Sequence, residues 1–208
     1  FLEGGHTSFF QWHNQWYVLQ ENHDISAFYR GASVKPVFFN IDGTVIIPED
    51  DRMYPGPGRA WWFESSTMGW KSLAGTSLVF SQENSLAGVL SDQDATIVSA
   101  PWLYTDTRVC SSISMTIKNN TPATKLKVAV YSRNEADPDF WVTGTGPVDW
   151  KAQEWLPLPI AANKNEFTTY SIDLSRFKPL ENRLMQLAIQ PASDASSGTW
   201  EIRNIKIE

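Results

Sequence analysis

Apolar side chains recur at every second position through much of this chain. Ile113, Met115 and Ile117 alternate with Ser114 and Thr116, and Leu126, Val128 and Val130 alternate with Lys127 and Ala129. Tyr170, Ile172 and Leu174 repeat the pattern, as do Met185, Leu187 and Ile189. A period of two turns one set of side chains to a buried face and the other to water, which is strand geometry. No window joins a helical period to helix caps. Turn chemistry separates the runs at Asn119-Asn120-Thr121-Pro122, Asp137-Pro138-Asp139, Asn163-Lys164-Asn165 and Ser193-Asp194-Ala195-Ser196-Ser197-Gly198. Short alternating strands with such punctuation predict an all-β chain folded as a sandwich or barrel.

The last run breaks its own phase. Trp200 and Ile202 are in step with each other, yet Ile205 and Ile207 are out of step with that pair. A bulge at Arg203-Asn204 would put all four on one face. Otherwise Trp200 belongs to the opposite face.

Tyr54-Pro55-Gly56-Pro57-Gly58 marks a boundary, because Pro has no N–H to give and Gly weakens a ladder. Residues 1–54 and 55–208 are therefore expected as separate segments. In the first, Phe9-Phe10-Gln11-Trp12 faces Trp16-Tyr17-Val18-Leu19 across a turn at His13-Asn14-Gln15. An Asp42-Gly43 turn joins Val37-Phe38-Phe39 to Val45-Ile46-Ile47. Two hairpins within about forty-five residues match one four-stranded propeller blade in length and content. A lone blade leaves an apolar face and two edges uncovered and must pack on something.

Composition narrows the partners. Seventeen basic against twenty-three acidic residues give a net charge of −6, without a Lys/Arg cluster, so the footprint of a nucleic-acid binder is missing. No run is long and apolar enough to insert in a bilayer as a helix. Cys110 is the single cysteine, which excludes an internal disulfide and a cysteine-based zinc site. Ten tryptophans among 208 residues are abundant; their rings suit β-sheet cores and also suit stacking on sugars.

Residues 3–47 resemble the last blade of the five-bladed propeller of family 43 glycoside hydrolases. The likeness rests on Gly5, His6 and Ser8, on the Trp16-Tyr17 strand, on Arg30, and on the ending Phe39-Asn40-Ile41-Asp42-Gly43-Thr44. The resemblance implies that His6 points into the central cavity and helps hold a metal ion or water there. It implies that Arg30 approaches substrate, although Gly31-Ala32 here separate that Arg from the Ser33-Val34 step. Glycoside hydrolysis needs two carboxyl groups roughly 5 to 9.5 Å apart. In the family these come from earlier blades, so catalytic residues are not expected in this chain. Without those blades, an exposed or core-satisfied imidazole is the other reading of His6. Phe1-Leu2-Glu3 is no signal peptide; the chain is expected to be a processed protein or the C-terminal piece of a longer enzyme.

Residues 59–208 resemble the galactose-binding-like jelly-roll modules that accompany such propellers. Trp62-Phe63-Glu64, Gly69-Trp70, Asp94-Ala95-Thr96-Ile97-Val98-Ser99, Phe167–Leu174 and Gly198–Ile207 carry the likeness. The expected fold is an antiparallel jelly-roll β-sandwich preceded by one propeller-blade-like four-stranded unit. A domain of roughly 150 residues buries about 70% of its unfolded surface and should stand alone. Trp70, Trp102 and Trp200 are expected in its core. Related modules hold a structural calcium; Glu64 is a candidate ligand, while Asn204 stands where relatives commonly have Asp.

Sugars are gripped by aromatic faces and a few fixed polar groups. Trp141, Trp150 and Trp155 lie among Gly, Pro, Thr and Asp between Asp139 and Trp155, and are the expected sugar platforms. Alternatively Trp141 and Trp155 lie on paired strands and pack inward. Together the resemblances imply the C-terminal portion of an extracellular or periplasmic polysaccharide-degrading enzyme, with the sandwich binding a polysaccharide or oligosaccharide. The other reading is a non-binding module bracing an upstream propeller.

Overall fold

The period-two runs become strands throughout the computed structural model, which describes residues 7–12, 15–22, 31–39, 45–46, 60–63, 67–81, 83–99, 101, 103, 105–138, 140 and 147–208. The chain divides into two units, Phe1–Gly58 and Arg59–Glu208. In the first, β1 (Thr7–Trp12), β2 (Gln15–Asn22), β3 (Gly31–Phe39) and β4 (Val45–Ile46) form one antiparallel sheet in sequence order. Both expected hairpins are present: Phe10 pairs with Tyr17, their rings stacked at 5.4 Å, and Phe39 pairs with Val45.

The second unit has β5 (Ala60–Trp61), β6 (Lys71–Ala74), β7 (Val79–Ser81), β8 (Ser85–Val89), β9 (Thr96–Val98) and β10 (Thr105–Asp106) in its first half. Its second half holds β11 (Ser112–Asn120), β12 (Lys125–Arg133), β13 (Trp155–Pro159), β14 (Lys164–Asp173), β15 (Arg183–Gln190) and β16 (Thr199–Ile207). One sheet runs β13-β12-β15-β9-β6, with β10 on β15; the other runs β14-β11-β16-β8-β7, with β5 on β16. From β11 onward the chain crosses repeatedly between the sheets, and the described pairings are antiparallel. The architecture is an all-β jelly-roll sandwich.

The alternation decides which side chains meet between the sheets. Leu126 and Val128 of β12 and Leu187 and Ile189 of β15 share a core with Ile113, Met115 and Ile117 of β11. Each such side chain contributes about 1.5–3 kcal/mol on burial. The expected bulge in β16 is present: Thr116 pairs with Asn204 but Ile117 with Ile202, leaving Arg203 as the extra residue. It resets the phase, so Trp200, Ile202, Ile205 and Ile207 are all buried in one core. Trp70 is in that core as expected, edge-on to Trp61 at 5.6 Å; Trp102 lies outside the described residues. Gly88 is dictated by Trp200, since a Cβ there would lie 2.4 Å from the indole and 2.5 Å from the Ser77 carbonyl oxygen.

Two asparagine-rich turns are tied together by one side chain. Asn119 donates to the Ala123 and Ala161 carbonyls at 2.9 Å each and accepts from the Thr121 hydroxyl at 2.6 Å. This polar group is buried with its donors and acceptor used. Among the described residues no helix is long and apolar enough to cross a membrane.

Candidate functional site

The outer face of the β13-β12-β15-β9-β6 sheet carries a shallow apolar floor. Ala129 of β12 pairs with Ala188 of β15, which pairs with Val98 of β9. Three small side chains in one row across adjacent strands leave room for a ring. Trp150 fills it, packing on all three with only 9% of its surface exposed. Its loop is held by local bonds: the Lys151 N–H donates to Asp149 Oδ1 at 3.0 Å and the Ala152 N–H to the Asp149 carbonyl at 3.2 Å. From the start of β13, the Trp155 indole N–H donates to the Trp150 carbonyl at 2.8 Å. The two rings lie 6.3 Å apart, tilted by 57°.

This corrects one expectation. Trp150 is not an exposed sugar platform but a buried anchor, because the alanine row gives its ring an apolar seat that water cannot match. Trp155 is half-buried against the same cluster and acts as a clamp on the loop. Trp141, Arg30, His6 and Glu64 lie outside the described residues.

Beside the anchored loop an open groove of about 550 Å³ remains. Leu73 of β6, Val98 and Pro101 line it together with Pro147, Val148 and the rest of Trp150. Leu73 is 53% exposed, an apolar group left toward solvent at this groove. Gln186 of β15 supplies its amide, while Asp149 and Lys151 add one charge of each sign. The described lining therefore offers apolar walls, one fixed amide and charges that cancel. That chemistry suits a neutral ligand with both C–H faces and hydroxyls. Asp149 is the one carboxylate among the described residues lining it, whereas hydrolysis of a glycosidic bond needs two.

Sequence reasoning missed Leu73, Val98 and Gln186. The phase of β15 does place Gln186 opposite in sense to Leu187, so its outward aspect was readable; its nearness to Leu73 depends on strand order and was not.

Other charged clusters are internally committed. A second groove of about 390 Å³ runs along β7, β8 and β16, and includes Glu83 and Glu201. Lys118 bridges these carboxylates at 3.0 and 2.8 Å. Its hydrogen bond to Glu201 leads the contacts that raise its pKa. For calcium, no group of three His, Cys, Asp or Glu side chains converges among the described residues. Asn204 is engaged elsewhere, its Oδ1 accepting from the Thr116 hydroxyl at 3.2 Å.

No family model matches this chain. No curated protein matches it either. Among solved structures, a single-residue variant of a family 29 carbohydrate-binding module is 13% identical, covering 72% of this chain and 91% of its own, at a TM-score of 0.45. A second family 29 variant is 16% identical, covering 71% and 92%, at 0.44. A family 11 carbohydrate-binding module from Clostridium thermocellum, in complex with a β-1,3-1,4-mixed-linked tetrasaccharide, is 15% identical, covering 72% and 94%, at 0.48. At these identities and scores the likeness is one of outline and assigns no ligand.

Proposed function

We propose that the unit Arg59–Glu208 is a carbohydrate-binding module that takes a neutral oligosaccharide or polysaccharide segment in the groove beside Trp150. The observation that carries this reading is the groove's lining: Leu73, Val98 and Val148 as apolar walls, the Gln186 amide between them, and cancelling charges on Asp149 and Lys151. A sugar presents both apolar C–H faces and hydroxyls, and needs both kinds of contact. On the resemblance of residues 3–47, the chain is the C-terminal portion of a family 43-like, polysaccharide-degrading glycoside hydrolase that works outside the cytoplasm. Its catalytic carboxylates then lie in blades supplied from elsewhere, and this chain alone hydrolyses nothing.

A second reading, a sandwich that braces a propeller without binding glycan, is favoured by the burial of Trp150, which spends an aromatic on packing. Affinity electrophoresis against soluble glucan, xylan and mannan separates the two. The binding reading expects retardation by at least one polymer and its loss in Leu73→Asp, an exposed site where the substitution spares the core. No retardation by any polymer would favour the brace, and retardation that survives Leu73→Asp would overturn the groove as the binding site.

A further inference from the structure

We propose that Gln186 is the specificity-determining residue of this groove, presenting a fixed acceptor oxygen that selects uncharged, hydroxyl-bearing sugar units over anionic ones. The inference rests on the binding reading above and adds what the site demands of its ligand.

The orientation of the Gln186 amide is set by its hydrogen-bond partner. Gln186 lies 2.8 Å from the Ser99 carbonyl oxygen. A carbonyl only accepts, so the amide nitrogen must face it and the Oε1 must point elsewhere. Ser99 is itself immobilised by β15: its N–H donates to the Leu187 carbonyl at 2.9 Å, and its hydroxyl accepts from the Leu187 N–H at 3.0 Å. The amide is therefore held by a backbone carbonyl that cannot turn away. The half-buried Gln186 lines the groove, and after the bond to Ser99 it still has the acceptor Oε1 and one N–H to offer.

An acceptor and a donor side by side match a hydroxyl, which can both give and take a hydrogen bond. A carboxylate or sulfate can only accept, and would set its charge against Oε1. Nor do the described lining residues favour an anion, since Lys151 is offset by Asp149. A site built around a hydrogen bond discriminates because the wrong ligand leaves its polar group unpaired.

The test is isothermal titration of the full chain with cellohexaose, xylohexaose, mannohexaose and hexagalacturonate, with near-UV circular dichroism to verify folding. The wild type should bind one or more of the neutral hexasaccharides and not hexagalacturonate. Gln186→Leu should weaken binding by about tenfold at every pH, the scale of one lost hydrogen bond. Gln186→Glu should bind poorly at pH 7 and recover as the pH falls toward about 4, near the ordinary Glu pKa. A protonated carboxyl donates to the Ser99 carbonyl and restores a neutral acceptor to the groove, as the amide did. A purely structural role would not produce that pH profile. Wild-type affinity in folded Gln186→Leu, recovery absent in folded Gln186→Glu, or tight hexagalacturonate binding would each overturn the proposal. If the wild type binds a hexasaccharide and Leu73→Asp abolishes it while Gln186→Leu does not, this inference alone fails. Absence of wild-type binding to every hexasaccharide would remove the groove reading and the inference together.

Discussion

Asp106 shows how a single residue ties an edge of the sandwich to its centre. The Arg108 side chain donates to Asp106 at 2.9 and 2.7 Å, the Arg108 N–H adds a third bond at 2.9 Å, and Arg183 of β15 approaches to 3.6 Å. The side-chain bond from Arg108 is the largest influence holding the Asp106 carboxyl well below the usual carboxylate range. A depressed folded-state pKa gives stability that is complete above the unfolded value, about 3.9, and is lost as pH falls toward the folded value. Asp106→Asn should therefore cost about 1 kcal/mol at pH 7, the scale of a partly exposed charge pair. The gap between variant and wild type should narrow below about pH 4. Thermal melts of both proteins from pH 7 to pH 2 check this; a gap unchanged across that range would count against it. None of this was legible in the sequence, where Asp106 and Arg108 are ordinary charges in a turn and Arg183 is far away.

At the scale of elements, β16 is the most informative strand. Its phase break at Arg203 was readable because alternation is a local property, and four apolar residues cannot reach one core without an extra residue between them. Deleting Arg203 would restore uniform pairing with β11 and, because Ile205 and Ile207 then follow Trp200 and Ile202 at even spacing, keep all four on one face. The deletion variant is therefore expected to keep cooperative thermal unfolding, read by circular dichroism, whereas inserting an alanine between Trp200 and Ile202 should destroy it; a deletion variant without a cooperative melt would sink the idea. The 147–155 segment taught the opposite lesson. Its Trp, Gly and Pro content pointed to a loop, which is what residues 147–154 form beside the groove, but not to the fate of each ring. Trp150 became an anchor because Ala129, Ala188 and Val98, from three strands, left it a seat.

The whole molecule divides where chemistry permits, and Arg59–Glu208 carries its own two sheets and core. A unit of roughly 150 residues buries enough surface to fold independently. Expressed alone, it should unfold in one cooperative transition and match the full chain in the proposed glycan binding; a molten fragment, or one that lacks a binding the full chain has, would show that the sandwich depends on the preceding strands. The sequence by itself determined the strand class, the two hairpins of the first unit, the bulge in β16 and the residues facing the core. Each follows from spacing along a few neighbouring positions. Only the tertiary structure decided that Leu73, Val98, Trp150 and Gln186 share one groove, and that Trp150 anchors its wall. Strand order brings these distant residues together, and a period of two carries information about faces but none about neighbours.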